Sequence, residues 1–195
     1  MTKNLRELYW QLIPILLQSV RQHIGRRHLD FGCGKGLITS WLASRHPSTE
    51  IIAYDPNRTD IEFARNSWRV NNVKYTHEAP EVGEGFDSAS LTFVLHEMGA
   101  EQALSEVLPK MLPEGRLILV DYDIKGVPKD QFARMFILDS EREELQKIGM
   151  ESAYKMHTRA GLEDYAQSAQ AAGFQETAKT KLFDKYFIWV GKKVA

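Results

Sequence analysis

A single cysteine in 195 residues excludes an intramolecular disulfide and leaves no cysteine cluster for zinc. Cys33 fits a reducing compartment, and a cytoplasmic chain is the expectation. Net charge is equally scarce: 25 Lys and Arg stand against 26 Asp and Glu, a formal −1. No basic excess is present to hold a phosphate backbone by charge alone, so a nucleic-acid partner is not expected. Long apolar runs are also missing. The stretch from Leu12 to Leu17 contains Pro14, is too short to span a bilayer and lacks a small-residue cleavage site. It reads as an amphipathic helix, kinked at Pro14 or starting near it. There is no internal repeat, low-complexity tract or Pro/Gly/Ser-rich linker. With 43% hydrophobic and 26% charged residues, residues 1–195 read as a single domain with a substantial core.

What is present is alternation. "HLDF" reads as a short strand ending at glycines, and "LITSWLASRHP" has helical spacing stopped by Pro47. "EIIAYD" is a second strand and "PNRTDIEFARNSWRVNN" a helix with Pro56 near its start. "VKYTHE", a run within "FDSASLTFVLHEM", and "RLILVDYD" supply the third to fifth strands, with "AEQALSEVLPKMLPEG" as helix and turn before the last. Ile124 to Met156 carries helical pattern and no strand. "AGLEDYAQSAQAAGF" is a further helix, and "QETAKTKLFD" and "KYFIWVGKK" form a hairpin around Asp184 and Lys185. The final strand is apolar enough to be interior rather than an edge, and it gives no clear dimerisation signal. Strand–helix alternation predicts an α/β fold, a doubly wound, mainly parallel, seven-stranded sheet with an antiparallel C-terminal hairpin strand. Right-handed crossovers then put the strands' carboxyl ends on one ligand-binding edge. The glycine turn, Asp55, Glu78, His96 and Asp121 all fall at or just after such ends.

Gly32, Gly34 and Gly36 sit at every second residue. The dinucleotide fingerprint needs its third glycine one position later, and the phosphate loop needs Ser or Thr after its lysine, where Gly36 follows Lys35. The turn therefore suits a nucleoside-like ligand without a pyrophosphate, unless it is only a tight strand-to-helix connection. Asp30 offers an acceptor to an ammonium group. Asp55 can take both hydroxyls of a ribose, and it can equally cap the helix ahead of Pro56.

"LDFGCGKG" followed by "IIAYDPN" resembles motifs I and II of the class I S-adenosylmethionine-dependent methyltransferases. The resemblance continues through "HEA", "FDSASLTFVLHEM" and "LPEGRLILVDYD", and within the family it is strongest to the small-molecule branch (methyltransferase type 11) that includes the quinone-biosynthesis enzymes. It implies S-adenosylmethionine as cofactor. The backbone from Gly32 through Cys33 to Gly34 would border the methionine part, with Asp30 near its amino group. Asp55 would hold the ribose, Pro56 would flank the adenine, and Glu78 and Ala79 would reach the adenine amine by side chain and backbone. Two departures stand out. Lys35 replaces a frequent Thr or Ser, and Glu78 replaces the more usual Asp.

A sulfonium methyl is already activated, so the protein must position the reactants and remove a proton where the nucleophile carries one. His96, just past the fourth strand, is the candidate base; its alternative is a helix cap or a backbone contact. Glu97 is a second candidate, or a helix-start charge. Asp121 could bind a substrate hydroxyl or a metal, or be an exposed turn carboxylate; a second carboxylate or amide cluster for a paired metal cannot be placed, and no metal site is expected. Cys33 reads as a small packed residue rather than a nucleophile. Substrate choice is expected to lie in two helical lid candidates, residues 1–26 and 124–158. In the second, Phe132, Met135, Phe136 and Leu138 either line a pocket or form the core face of a helix, and Arg134, Tyr154 and His157 add polar groups. A small molecule is the expected acceptor. Base-amine methylation usually brings an Asn/Asp-Pro-Pro-aromatic run after the fourth strand, where this chain has "VLHEMG". A protein acceptor is a further alternative, though one Glu after the fourth strand does not make the paired-glutamate loop of arginine methylation; a cofactor-binding domain without activity is the non-enzymatic alternative.

Overall fold

A computed structural model of the protein describes residues 14–15, 18–136 and 139–194, with the side chains of 139–141, 143 and 144 outside that description. Seven strands form one sheet in the order β3-β2-β1-β4-β5-β7-β6. These are β1 (Arg27–Phe31), β2 (Glu50–Tyr54), β3 (Val73–Thr76), β4 (Phe86–Thr92), β5 (Met111–Tyr122), β6 (Phe174–Leu182) and β7 (Tyr186–Lys193). The first five pair in parallel, and β7 runs antiparallel between β5 and β6. The strand order reverses between β1 and β4, the switch point at which open α/β sheets bind ligands.

Both faces are covered. Ile51 and Ala53 point to one face of β2, Ile52 and Tyr54 to the other, as strand pleating requires. On the first face pack α1 (Leu37–Arg45), α2 (Arg58–Ser67), α5 (Lys129–Met135) and α7 (Met150–Thr158), with Val20 beneath them. On the second face pack α4 (Ala100–Val107) and α8 (Leu162–Ala171), through Leu104, Val107, Tyr165 and Ala169. The short α3 (Leu95–Met98) follows β4, and α6 (Asp139–Ile148) lies between α5 and α7. No strand interrupts 124–158 among the described residues. Phe132 and Phe136 are buried in the core on the first face with Ile118, Val120 and Ile188, the core-face option for that helix; Leu138 lies outside the described residues. Most of the N-terminal lid candidate also lies outside them; residues 14–15 and 18–20 are helical. No described helix is long and apolar enough to cross a membrane.

Two element boundaries differ from the sequence reading. Helix α2 starts at Arg58, and its cap is Asn57, whose side chain accepts from Thr59 N at 3.0 Å and Asp60 N at 3.4 Å. Pro56 therefore lies outside the helix, and Asp55 is free for another task. Strand β5 begins at Met111, five residues before "RLILVDYD", because a kink with Glu114 at φ 66° lets Met111 pair with Phe86 before the regular register starts at Arg116.

Strand β7 is interior, as its apolar sequence requires. Trp189 is fully buried and donates from Nε1 to Glu176 Oε2 at 2.7 Å. Gly191 makes room for that ring: a methyl there would meet Trp189 Cη2 at 2.1 Å and Phe174 Cβ at 3.1 Å. Gly191→Ala is expected to destabilise by about 1–3 kcal/mol through overpacking, read as a lowered urea midpoint with an unchanged slope.

Candidate active site

The glycine turn is clamped to the end of β2. Gly32 N and Cys33 N both donate to Tyr54 O, at 2.8 and 3.0 Å, and Gly34 N donates to Asp55 Oδ2 at 2.8 Å. Asp55 Oδ1 accepts from Asn57 N at 2.9 Å. One carboxylate thus fixes the turn and the entry to α2. The glycines have different reasons. A methyl at Gly36 would sit 2.7 Å from Tyr75 Cε1 and 2.9 Å from Ala64 Cβ, so this glycine lets α2 and β3 close on the turn. Trp68 Nε1 locks the same place by donating to Lys35 O at 2.7 Å. At Gly34, with φ +50°, a methyl would meet nothing within 4 Å. That residue is glycine for its left-handed backbone, and it faces open space.

Asp30 lies beneath the turn, 2% exposed. Its carboxylate accepts from Thr39 Oγ1 at 2.5 Å and Ser90 Oγ at 3.0 Å, and burial raises its pKa. The chain of contacts continues inward. His28 Nε2 lies 2.9 Å from Ser90 Oγ, His28 Nδ1 lies 3.0 Å from Ser88 Oγ, and Ser88 Oγ accepts from Gly25 N at 2.8 Å. Since Ser90 donates to Asp30, it accepts from His28, which a neutral imidazole satisfies. Burial depresses the His28 pKa to about 3. The unfolded chain therefore binds a proton below about pH 6.5 that the folded chain refuses, so stability is full above that pH and falls as pH falls from 6.5 toward 3. His28 alone is expected to remove about 1.6 kcal/mol between pH 6.5 and 5, measured as urea-unfolding free energy at the two pH values against His28→Gln.

Cys33 packs against the cluster of Ala53, Ile61, Ala64 and Tyr75, and burial, with Asp30 and Asp55 nearby, pushes its thiol pKa far up. A thiol held neutral is no nucleophile. On the far side of Asp55, Glu78 and Ala79 begin the turn after β3. Glu78 is exposed, its Oε1 3.0 Å from His77 Nε2, and Ala79 opens a short 3-10 turn to Glu81. The residues read from the sequence as cofactor-binding thus gather along the carboxyl ends of β1, β2 and β3.

His96 lies across the switch point. It is 3% exposed, and its Nδ1 is 2.7 Å from Asp121 Oδ1. Asp121 is fully buried rather than an exposed turn carboxylate. It accepts also from Leu95 N at 2.8 Å, His96 N at 3.1 Å and Tyr122 N at 2.8 Å. So the cap on α3 is Asp121, not His96. His157 stacks on the His96 ring with centroids 4.4 Å apart, and Tyr122 meets it edge-on at 5.0 Å. Burial and the neighbouring His96 lower the His157 pKa to about 4. The Glu97 carboxylate is largely exposed, with Oε1 4.0 Å from His96 Nε2. Tyr154 donates to Val127 O at 3.1 Å, holding α7 to the start of the insertion. Asp123 is occupied in capping α8 through Leu162 N at 2.9 Å. No group of three or more potential ligands that could hold a metal occurs among the described residues. The Asp121–His96 pairing escaped the sequence reading, although a signal exists: each residue follows the paired ends of β4 and β5, where Thr92 faces Val120.

A doubly wound sheet with this strand order, a glycine turn closed by an acidic residue after β2 and a seventh strand inserted antiparallel defines an S-adenosylmethionine-dependent methyltransferase fold. The chain belongs to the methyltransferase small domain family, whose model matches residues 13–120. Ribosomal RNA small subunit methyltransferase C of Chromohalobacter salexigens is 25% identical over 145 residues, 68% of this chain and 43% of that protein. The chain therefore spans less than half the length of that relative. An O-methyltransferase family protein from Burkholderia thailandensis superposes with TM-score 0.69 at 14% identity, covering 96% of this chain and 57% of that one. An S-adenosylmethionine-dependent methyltransferase from Mesorhizobium loti does so with TM-score 0.65 at 12% identity, covering 92% and 96%. At such identities the structural likeness speaks for the fold.

Proposed function

We propose that this chain transfers the methyl group of S-adenosylmethionine to a small-molecule acceptor in the cytoplasm. The observation that carries the reading is the Asp55 carboxylate seated on Gly34 N, beside a glycine that opens to empty space. A carboxylate oxygen that already accepts one N–H keeps capacity for a ribose hydroxyl, and the bare turn admits the methionine portion. Asp30, read from the sequence as lying near the amino group, is buried beneath the turn and held by Thr39 and Ser90, with Gly32 and Cys33 supplying backbone and Pro56, Glu78 and Ala79 framing the adenine. His96 is the base that takes a proton from the acceptor. We assign the choice of acceptor to the two lid candidates, 124–158 and 1–26. The branch with the quinone-biosynthesis enzymes, which the sequence motifs resemble, is our working model for that choice.

Calorimetric titration with S-adenosylmethionine, its demethylated product and NAD tests the cofactor reading. Saturable binding of the first two and none of NAD is expected; absence of binding by both sulfur nucleosides sinks it. A second reading, ribosomal RNA as acceptor, is favoured by the name of the C. salexigens relative. Against it stand the net charge of −1 and the "VLHEMG" run after β4. Transfer of labelled methyl to purified ribosomal subunits, with none to small acceptors, decides for RNA.

A further inference from the structure

We propose that the groove between the first turns of α4 and α8 is a binding site for a small oxyanion, a carboxylate or a phosphate ester, held by Arg159, the Tyr165 hydroxyl and the opening amides of α4. The proposal does not depend on the methyltransferase reading. The groove has a volume of about 400 Å³ and is lined from residues 98–102 on one side and from 159–168 on the other. Hydrogen-bond donors gather in it. Helix α4 follows Gly99, whose φ is 88°, and no side chain caps it. The amides of Ala100, Glu101 and Gln102 therefore lack an acceptor, as a helix start leaves them, and the helix dipole adds positive potential at that end. The Arg159 guanidinium stands at the same point. Its Nη2 would lie 3.6 Å from a methyl on Gly99, and that nitrogen donates to Leu95 O at 3.1 Å. The bond anchors the guanidinium and leaves its other N–H groups for a ligand. No carboxylate stands within ion-pair distance of Arg159 among the described residues. Tyr165 lines the groove at 2% exposure, and its hydroxyl has no hydrogen-bond partner among the described residues. Burial, and then the Asp121 charge, raises the Tyr165 pKa, so the phenol stays protonated.

These donors select the ligand. A guanidinium and main-chain amides only donate, and the phenol can donate to the same group. What satisfies all of them is an acceptor with several lone pairs, and the planar guanidinium fork matches a carboxylate or a phosphate. The acids nearby do not fill that place. Asp164 is occupied: Oδ1 accepts from Lys125 Nζ at 2.6 Å and Oδ2 from Gly161 N at 2.9 Å. Glu101 is exposed on the rim, in the first turn of α4. Asp121 lies behind Tyr165 and is engaged by the amides of Leu95, His96 and Tyr122.

Amide NMR spectra of the full chain, titrated with sodium acetate and with inorganic phosphate at constant ionic strength, test the site. Saturable shifts of the Ala100, Glu101 and Gln102 amides are expected. Tighter acetate assigns a carboxylate ligand, and tighter phosphate a phosphate ester. Arg159→Gln is expected to weaken the binding about tenfold or more, and Tyr165→Phe, which removes one oxygen, about two- to tenfold. Glu101→Gln removes an exposed rim charge and should tighten the binding about twofold at low salt, a gain that disappears at high salt. This variant and Tyr165→Phe keep the test open if Arg159→Gln fails to fold. Three results overturn the proposal: no saturable shift with either salt in the wild-type chain, shifts confined to another surface, or binding that Tyr165→Phe leaves unchanged and Glu101→Gln does not tighten.

Discussion

Asp55→Ala is expected to weaken S-adenosylmethionine binding by about two orders of magnitude, while the chain stays folded. The size follows from what the carboxylate does. In the structure it accepts from Gly34 N at 2.8 Å and from Asn57 N at 2.9 Å, tying the cofactor turn to the start of α2. In the proposed complex it also accepts from the ribose. Hydrogen bonds to a charged group contribute about 1.5–3 kcal/mol each, and each 1.4 kcal/mol is tenfold in affinity. Loss of one ribose contact and of the turn's preorganisation together reaches about 3 kcal/mol. The fold tolerates the change because Asn57, not Asp55, caps α2, and because Tyr54 O still holds Gly32 N and Cys33 N. Asp55→Asn separates the two contributions. It keeps an acceptor for Gly34 N but loses the charge, so its affinity should fall between wild type and alanine. Calorimetry reads all three proteins. Unchanged affinity in Asp55→Ala would mean that the ribose lies elsewhere.

The cofactor side was legible in the sequence because it is local. A strand, its glycines and the next strand's terminal acid lie within 30 residues, and parallel pairing of β1 with β2 brings them together without help from the rest of the chain. The acceptor side was legible only in part, because its geometry is tertiary. His96 and Asp121 are 25 residues apart, and their contact depends on the register of β4 against β5. His157 arrives from an inserted helix whose placement no local pattern dictates. Local rules also compete. Asp, Pro and Asn stand in a row at 55–57, and each is a plausible helix-start residue; the structure gives the cap to Asn57 because Asp55 is drawn off by Gly34 N. In the same way Asp121 reads as an exposed carboxylate until α3 turns its first amides back onto it. The β5 kink at Glu114 was hidden for a related reason: "LPEG" has the chemistry of a turn, yet it lies inside the strand, which pairs with β4 on either side of it.

His96→Ala is expected to slow methyl transfer by about 10²- to 10⁴-fold, the range of a positioned proton acceptor, and to leave S-adenosylmethionine affinity unchanged. The glycine turn and Asp55 lie on the other side of the switch point, so the two effects are separable. Alanine alone cannot distinguish a base from a packing residue, since His96 is 3% exposed and stacks between His157 and Tyr122. Removing it leaves a cavity and strips Asp121 of one donor, and both are destabilising. Glutamine resolves this. His96→Gln fills most of the volume and can still donate to Asp121 Oδ1, but its amide takes no proton near neutral pH. If His96 is the base, glutamine is as slow as alanine and more stable. If His96 only supports α3, glutamine recovers rate and stability together. The rate is read as transfer of labelled methyl to the acceptor, and the stability as the urea midpoint. Above the pH at which the acceptor ionises unaided, the deficit of both variants should shrink, because the proton that His96 would remove is already gone. A constant deficit across that pH would assign His96 to positioning the acceptor rather than to deprotonating it.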